Sequence, residues 1–365
     1  MILITILLVI LFGHYYVHHI IEYPTIYYND VMLPFIIQIH SLYDPIKWTV
    51  WCFNSYLQFI IFTIRSSYYD KMIANDLYDL EILRFDDNTK SFLAIGKQIK
   101  NPTAILLILH TICGSYDESA NFVKNIQDTL NWLPISYSRR GHSNKLESAE
   151  FNTVGSQVDL ITVLNIIKKR YPKLPIYAIG FSAGSSILAR YLGDSGDNSL
   201  ISGGVCVSPG YCFEKSMTTM PEIASKLATK NAKDFFLKPN EEILKNYDEI
   251  TFNILMNCNN MTEWHEHQWK FAGNYNSKEE YYNEHNPVYV LHQIKKPILY
   301  INALDDIAFP AKLVKQFVNI VNDAPKSIIV HTKKGSHLGF FSNYNLQSWY
   351  LQIVTEFLKL VDENK

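Results

Sequence analysis

Ser182 is the residue whose surroundings best equip it for chemistry. It stands in Gly180-Phe181-Ser182-Ala183-Gly184, after the apolar run Ile176-Tyr177-Ala178-Ile179 and before the helix-like run Ser186 to Leu192, which Gly193 closes. A serine on a strand–turn–helix bend is lifted clear of the sheet, where its hydroxyl is free to attack. Such a bend crowds the backbone, and small residues two before and two after the serine relieve the crowding. The motif alone is weak. Its place between a buried strand and a helix makes it specific. A hydroxyl is a poor nucleophile at neutral pH, so it needs a base within hydrogen-bond reach and an acid to orient that base.

His337, in Gly335-Ser336-His337-Leu338-Gly339-Phe340, is the histidine best placed to be the base, because it follows the final strand signal in a tight, glycine-bearing loop. His331 falls at the end of that strand signal and His292 in a helical region. A base so placed would take the serine proton and return it to the leaving group, a transfer worth roughly 10²–10⁴-fold. The acid belongs just after a late strand, and the run Ile298 to Leu304 leads directly into Asp305-Asp306. Charge that builds on the substrate carbonyl needs two backbone N–H donors. Ala183, the residue after the serine, supplies one. The loop His110-Thr111-Ile112-Cys113-Gly114 supplies the other, with Ile112 the expected donor.

These residues need a rigid frame, and the pattern from about Tyr78 onward provides one. Leu80 to Phe85 and Ser91 to Ile95 read as a hairpin around Asp86-Asp87-Asn88. Ala104 to Leu109 is a continuous apolar run, as expected for a parallel strand buried on both faces. Helical patterning between Asp117 and Leu130 precedes a strand over Leu133 to Tyr137. Apolar residues from Val158 to Ile167 recur at spacings of three and four, marking a helix that ends in Lys168-Lys169-Arg170 before Pro172. Gly203 to Val207, Pro297 to Ile301 and Ser327 to Val330 complete the strands, and Gln347 to Leu360 closes the chain as a helix. Strands alternating with helices predict an α/β class, a mostly parallel sheet covered on both faces. Residues 211–293 break the rhythm with a polar, aromatic, helical stretch, expected to form a lid within the catalytic domain of residues 78–365.

An α/β domain with a serine at such a bend is the α/β-hydrolase fold, in which the chain order is serine, acid, histidine. More narrowly, the chain resembles the AB hydrolase 4 family. The resemblance rests on His110 to Gly114, Arg139-Arg140-Gly141-His142, the serine motif with Tyr191-Leu192-Gly193, Asn302-Ala303 with Asp305-Asp306, Gly335 to Gly339, Tyr281-Tyr282 and the Trp48 to Gln58 stretch. It implies a catalytic triad of Ser182, Asp306 and His337, the family's acid lying four residues before the proline, here Pro310. It also implies hydrolysis of carboxylic esters: medium-chain acyl esters, acylglycerols or phospholipids. Three departures stand out. Thr111 replaces a usual glycine, and a β-branched residue adopts a positive φ only at a cost. Ser185-Ser186 replaces a common Gly-Asn, and Ser143 a further glycine. Acyl transfer to an alcohol would use the same triad, although the His-x4-Asp signature of some acyltransferase relatives is absent, Ser342 standing at the fifth position. A non-catalytic hydrolase-fold scaffold is the third reading, against which the complete triad argues.

Bulk properties narrow the field. The 365 residues carry 33 basic and 35 acidic side chains for a net charge of −2, which gives no electrostatic case for nucleic acid. The hydrophobic share of 48% and aromatic share of 14% suit both a core and an apolar pocket for a lipid or acyl-ester substrate. Five cysteines without paired spacing indicate neither a disulfide framework nor a zinc site. His265-Glu266-His267 near Glu263 is too weak a pattern for a metal site, and no metal or cofactor is expected. Arg139-Arg140 reads as a structural turn or a phosphate-headgroup contact. Ile2 to Ile21 is 20 residues without Lys, Arg, Asp or Glu, long enough to span a bilayer, so residues 1–21 are expected to be a single-pass membrane anchor. Residues 22–77 form an aromatic segment in which Trp48 to Ile64 reads as an amphipathic helix. Asn260-Met261-Thr262 is a glycosylation sequon if the domain is luminal.

Overall fold

The computed structural model describes Thr5, Leu11 and residues 20–52, 54–85, 89–97, 99–152, 154 and 156–364. Most of the expected anchor therefore lies outside the described residues, as do the hairpin residues 86–88. Among the described residues, no helix is long and apolar enough to cross a membrane.

Nine strands form one sheet: β1 (Thr25–Tyr28), β2 (Tyr78–Arg84), β3 (Lys90–Gly96), β4 (Ile105–Leu109), β5 (Leu133–Tyr137), β6 (Ile176–Phe181), β7 (Ile201–Val207), β8 (Ile298–Ala303) and β9 (Ser327–Thr332). Their order across the sheet is β1-β9-β8-β7-β6-β4-β5-β3-β2. Every pairing from β5 through β9 is parallel. The β2–β3 hairpin and β1 are antiparallel at opposite edges. All five residues of β4 and all six of β6 are buried, as continuous apolar runs covered on both faces require. The edge strand β1 has no counterpart in the sequence reading. It is short and polar-flanked, and its place depends on pairing with β9, whose partner residues lie 300 to 306 positions further along the chain (Ile328 with Tyr28, His331 with Thr25).

Helices cover both faces. In the catalytic region these include α3 (Ala120–Thr129), α4 (Val158–Arg170), α5 (Ala183–Ser195) and α11 (Tyr350–Glu363). Two apolar clusters, one containing α3 and α11 and the other α4 and most of α5, form the core. Between β7 and β8 lie α6 (Phe213–Thr219), α7 (Glu222–Ala232), α8 (Glu241–Asn257), α9 (Met261–His267) and α10 (Lys278–His285). They pack about a third apolar cluster, which also includes Ala183.

The Trp48–Ile64 stretch is not one helix. Trp48 is buried and its indole N–H donates to Glu22, 2.8 Å away. Helix α1 (Ser55–Arg65) begins only where Asn54 accepts the N–H groups of Tyr56 and Leu57. After a π-helical turn the chain continues as α2 (Lys71–Leu77).

Candidate active site

Ser182 occupies the bend between β6 and α5 with φ 51° and ψ −112°, a conformation costly for any residue with a Cβ. Close packing explains both flanking glycines. A Cβ on Gly180 would lie 2.5 Å from the carbonyl oxygen of Gly184, and one on Gly184 would lie 2.2 Å from that of Leu109. Neither backbone neighbour has room to yield. The two serines that depart from the resembled pattern brace the bend: Ser185 Oγ donates toward the carbonyls of Gly180 and Val207, and Ser186 Oγ to that of Gly210.

His337 lies in a loop wound tightly enough that Gly335, Ser336, Leu338 and Phe340 all have positive φ. Asp305 accepts the Ser336 N–H at 2.7 Å, and the Ser336 hydroxyl donates to the carbonyl of Ser55 at 2.6 Å. The imidazole so held brings Nε2 to 2.8 Å from Ser182 Oγ and Nδ1 to 2.9 Å from Asp306 Oδ2. The other oxygen of Asp306 accepts the N–H groups of Ala308 (2.6 Å) and Phe309 (3.0 Å). The two adjacent carboxylates thus do different things: Asp306 faces the imidazole and Asp305 the loop that carries it. The Asp306 side chain is fully buried and that of His337 is 10% exposed. Burial pushes the Asp305 carboxyl up to about 6, with the Ser336 N–H opposing and Asp306 reinforcing the shift. Phe309 meets the imidazole edge-on at 5.1 Å, and Phe59 of α1 lies 6.3 Å away. The N-terminal segment therefore helps wall the site, a role its sequence did not signal.

Ala183 is the first residue of α5, where backbone N–H groups lack intrahelical partners. Ile112 lines the same cavity as Ser182 and Ala183. Thr111, beside it, does not adopt a positive φ, so the loop does not require the glycine the resemblance led us to expect there. Two residues that sequence reasoning did not single out as loop supports hold this loop. Arg139, fully buried, donates Nη1 to the His110 carbonyl (2.9 Å) and Nη2 to that of Thr111 (2.8 Å). Glu118 accepts the Thr111 N–H at 2.6 Å and its hydroxyl at 2.7 Å. Arg140 pairs with Asp159 at 2.8 Å and Glu150 at 3.2 Å. The structural reading of Arg139-Arg140 therefore displaces the headgroup one.

A cavity of about 380 Å³ opens over Ser182 and His337. Its walls are mostly apolar: Phe59 and Phe62 from α1, and Phe213, Met217, Leu227 and Met261 from the helices between β7 and β8. In that region His265 Nδ1 faces the Tyr282 hydroxyl and Glu266 pairs with Lys278.

Comparison with known proteins agrees with this architecture. A hydrolase 4 family model, described as serine aminopeptidase, S33, matches residues 100–260. Protein ABHD15 of Homo sapiens is 23% identical over 71% of this chain and 56% of its own length. Monoacylglycerol lipase ABHD2 of Bos taurus is 25% identical over 60% of this chain and 55% of its own. Phospholipase ABHD3 of Bos taurus is 22% identical over 87% and 78% respectively. Two of these three matches thus span little more than half of the relative. The Pyrococcus furiosus esterase Pf2001 superposes with a TM-score of 0.52 over 78% of this chain and 90% of its own, at 18% identity, which marks a shared fold.

Proposed function

We propose that this chain, a member of the α/β-hydrolase superfamily, is a serine hydrolase that cleaves carboxylic esters of lipid-like substrates through an acyl-enzyme on Ser182. One observation carries the reading. Ser182 Oγ, His337 Nε2, His337 Nδ1 and Asp306 Oδ2 form an unbroken line of contacts of 2.8 and 2.9 Å on the wall of an apolar cavity.

Asp306 holds the Nδ1–H tautomer and leaves Nε2 free to accept. Ser182 Oγ attacks the acyl carbon while Nε2 takes its proton, and the carbonyl oxygen becomes an oxyanion facing the N–H groups of Ala183 and Ile112. The intermediate collapses to the Ser182 ester, and His337 hands the proton to the departing alkoxide. A water then repeats the cycle: His337 takes its proton, hydroxide adds to the acyl carbon, and the acid leaves as Ser182 regains its hydrogen. The helices α6 to α9 act as the lid, with Phe213, Met217, Leu227 and Met261 receiving the acyl chain. Lipid esters are favoured by the apolar walls and by the relatives named as lipase and phospholipase. Attachment of residues 1–21 to a membrane belongs to the same proposal, supported by the uncharged composition of Ile2 to Ile21.

The test is turnover of p-nitrophenyl esters of graded chain length, with fluorophosphonate labelling, by wild type and Ser182→Ala. Wild type should label and turn over, and the variant should do neither; equal rates would remove Ser182 from the mechanism. Detergent-free fractionation with and without residues 1–21 tests the attachment. A full-length protein that stays entirely in the aqueous fraction refutes it.

A further inference from the structure

The loop that carries Ile112 is held by Arg139, by Glu118 and by His142, whose Nε2 lies 3.0 Å from the Ile112 carbonyl. Arg139 holds the carbonyls of His110 and Thr111. Glu118 holds Thr111 by both the N–H and the hydroxyl, one donor to each carboxylate oxygen. The carboxylate is packed tightly enough that a Cβ on Gly114 would fall 2.4 Å from Oε2. Glu118 is itself fixed. Its N–H donates to Ser115, and the next residue, Ser119, is held at φ 64° by Asp70, which accepts the N–H groups of Ser119 and Asn121. Glu118 is buried and lines the cavity beside Ser182 and His337.

We propose that Glu118 is a positioning residue for ester cleavage, setting the backbone of Thr111 and hence the direction of the adjoining Ile112 N–H at the oxyanion. This rests on the hydrolase reading above and deepens it: Thr111 is then a docking point for the carboxylate, and its hydroxyl replaces the conformational freedom of glycine with a hydrogen bond. The clamp needs one acceptor for the Thr111 N–H and one polar atom for its hydroxyl. A neutral acid meets both needs, accepting through its carbonyl oxygen and donating its own proton to Oγ1. Burial pushes the Glu118 carboxyl up to about 7, with the two Thr111 bonds opposing the shift, Asp70 adding to it and Arg139 reducing it. The geometry therefore tolerates loss of the charge but not loss of the polar atoms.

That distinction sets the experiment. In full-length protein, Glu118→Gln preserves an acceptor for the N–H and an N–H for Oγ1. Glu118→Met keeps the bulk and removes both. Thr111→Val removes only the hydroxyl. On p-nitrophenyl esters, E118Q should stay within about threefold of wild type in kcat. E118M should lose kcat and kcat/KM together by roughly 10²–10³-fold at constant KM, the loss expected for one misplaced oxyanion donor. T111V should fall between them. A packing role would instead spare E118M, because methionine fills the same space. Wild-type kcat in E118M, or a loss in E118Q as large as in E118M, overturns the proposal. Thermal melting reports whether E118M is folded. If it is not, T111V decides: unchanged kcat there refutes the clamp. Failure of the hydrolase reading looks different, since S182A would then match wild type or wild type would be inert, and either result removes both proposals.

Discussion

Replacing Asp306 by asparagine tests the site at the atom that distinguishes it from its neighbour. Asp306 Oδ1 accepts two backbone N–H groups, from Ala308 and Phe309, and Oδ2 accepts His337 Nδ1. Asparagine has one oxygen. If that oxygen stays with the two backbone donors, the amide N–H points at Nδ1, which must then be the acceptor. The ring proton moves to Nε2, 2.8 Å from Ser182 Oγ, and the base is blocked. Flipping the amide restores the productive tautomer but leaves two part-buried N–H donors facing an NH₂. Each unsatisfied donor costs about 1–3 kcal/mol, or about 2–6 in all. At ~1.4 kcal/mol per tenfold, the productive form falls to between a few per cent and less than 10⁻⁴ of the population. We therefore expect D306N to lower kcat by roughly 30-fold to 10⁴-fold with KM nearly unchanged, a range that includes the loss typical of such a tautomer trap. Asp305→Asn is the control. Its amide oxygen can still take the Ser336 N–H, so its kcat should stay within about tenfold of wild type. Steady-state kinetics on a nitrophenyl ester, with melting curves to verify folding, decide the matter. A D306N rate within tenfold of wild type, or a D305N loss exceeding that of D306N, would refute the assignment.

Other expectations follow from strain and burial. Ser182→Gly should abolish turnover yet raise stability by about 1 kcal/mol, because glycine relaxes the φ 51° bend; denaturant titration checks the sign. Gly184→Ala should destabilise by roughly 1–3 kcal/mol and remove activity, since its Cβ would meet the β4 backbone at 2.2 Å; wild-type turnover would show that the bend yields. His331 is buried, its two ring nitrogens have no hydrogen-bond partner among the described residues, and burial lowers it to about 4, with Lys315 acting in the same sense. Its folded pKa lies below the unfolded value near 6.5, so the stability it confers is present above pH 6.5 and is lost as pH falls from there to 4. His331→Phe should therefore narrow the loss of unfolding free energy between pH 7.5 and pH 5 by about 2 kcal/mol; an unchanged difference would place that proton elsewhere.

Local sequence foretold those parts of the fold and the site that depend on local chemistry. Outside the polar, aromatic stretch that forms α6 to α10, most elements from β2 to α11 are legible because they are runs of apolar residues at a strand or helix period. Ser182 is legible for the same reason: the bend needs small residues at fixed offsets, and Gly180 and Gly184 stand at those offsets. Three features depend on how the chain folds back on itself and leave little local trace. The strand β1 exists because β9 offers an open edge. Phe59 reaches His337 because the His337 loop rests on Ser55. Glu118 falls within the helical patterning between Asp117 and Leu130, and only the fold turns it back toward Thr111. A faint signal was available: Glu118 lies seven residues beyond a threonine that replaces a glycine, close enough for one turn of chain to bring an acceptor to a new hydroxyl.

That last pairing bears on how departures from a family pattern should be weighed. Taken singly, Thr111 and Ser185 put a bulkier, polar side chain where the resembled pattern has glycine, Ser186 puts a shorter one where it has asparagine, and each looks like erosion of the site. In the structure each added hydroxyl has a partner: Glu118 for Thr111, the carbonyls of Gly180 and Val207 for Ser185, and that of Gly210 for Ser186. A buried hydroxyl without a partner costs about 1–3 kcal/mol, so three orphans beside a strained bend would threaten folding as well as catalysis. With partners, the same groups tie the oxyanion loop and the serine bend to the backbone beneath them. The substitutions therefore add constraint where ester cleavage demands it. Removing a partner while keeping the hydroxyl should be more damaging than restoring the glycine: E118M with Thr111 intact should be slower than the double variant E118M/T111G. The reverse order would mean that Thr111 is tolerated by the loop rather than used by it.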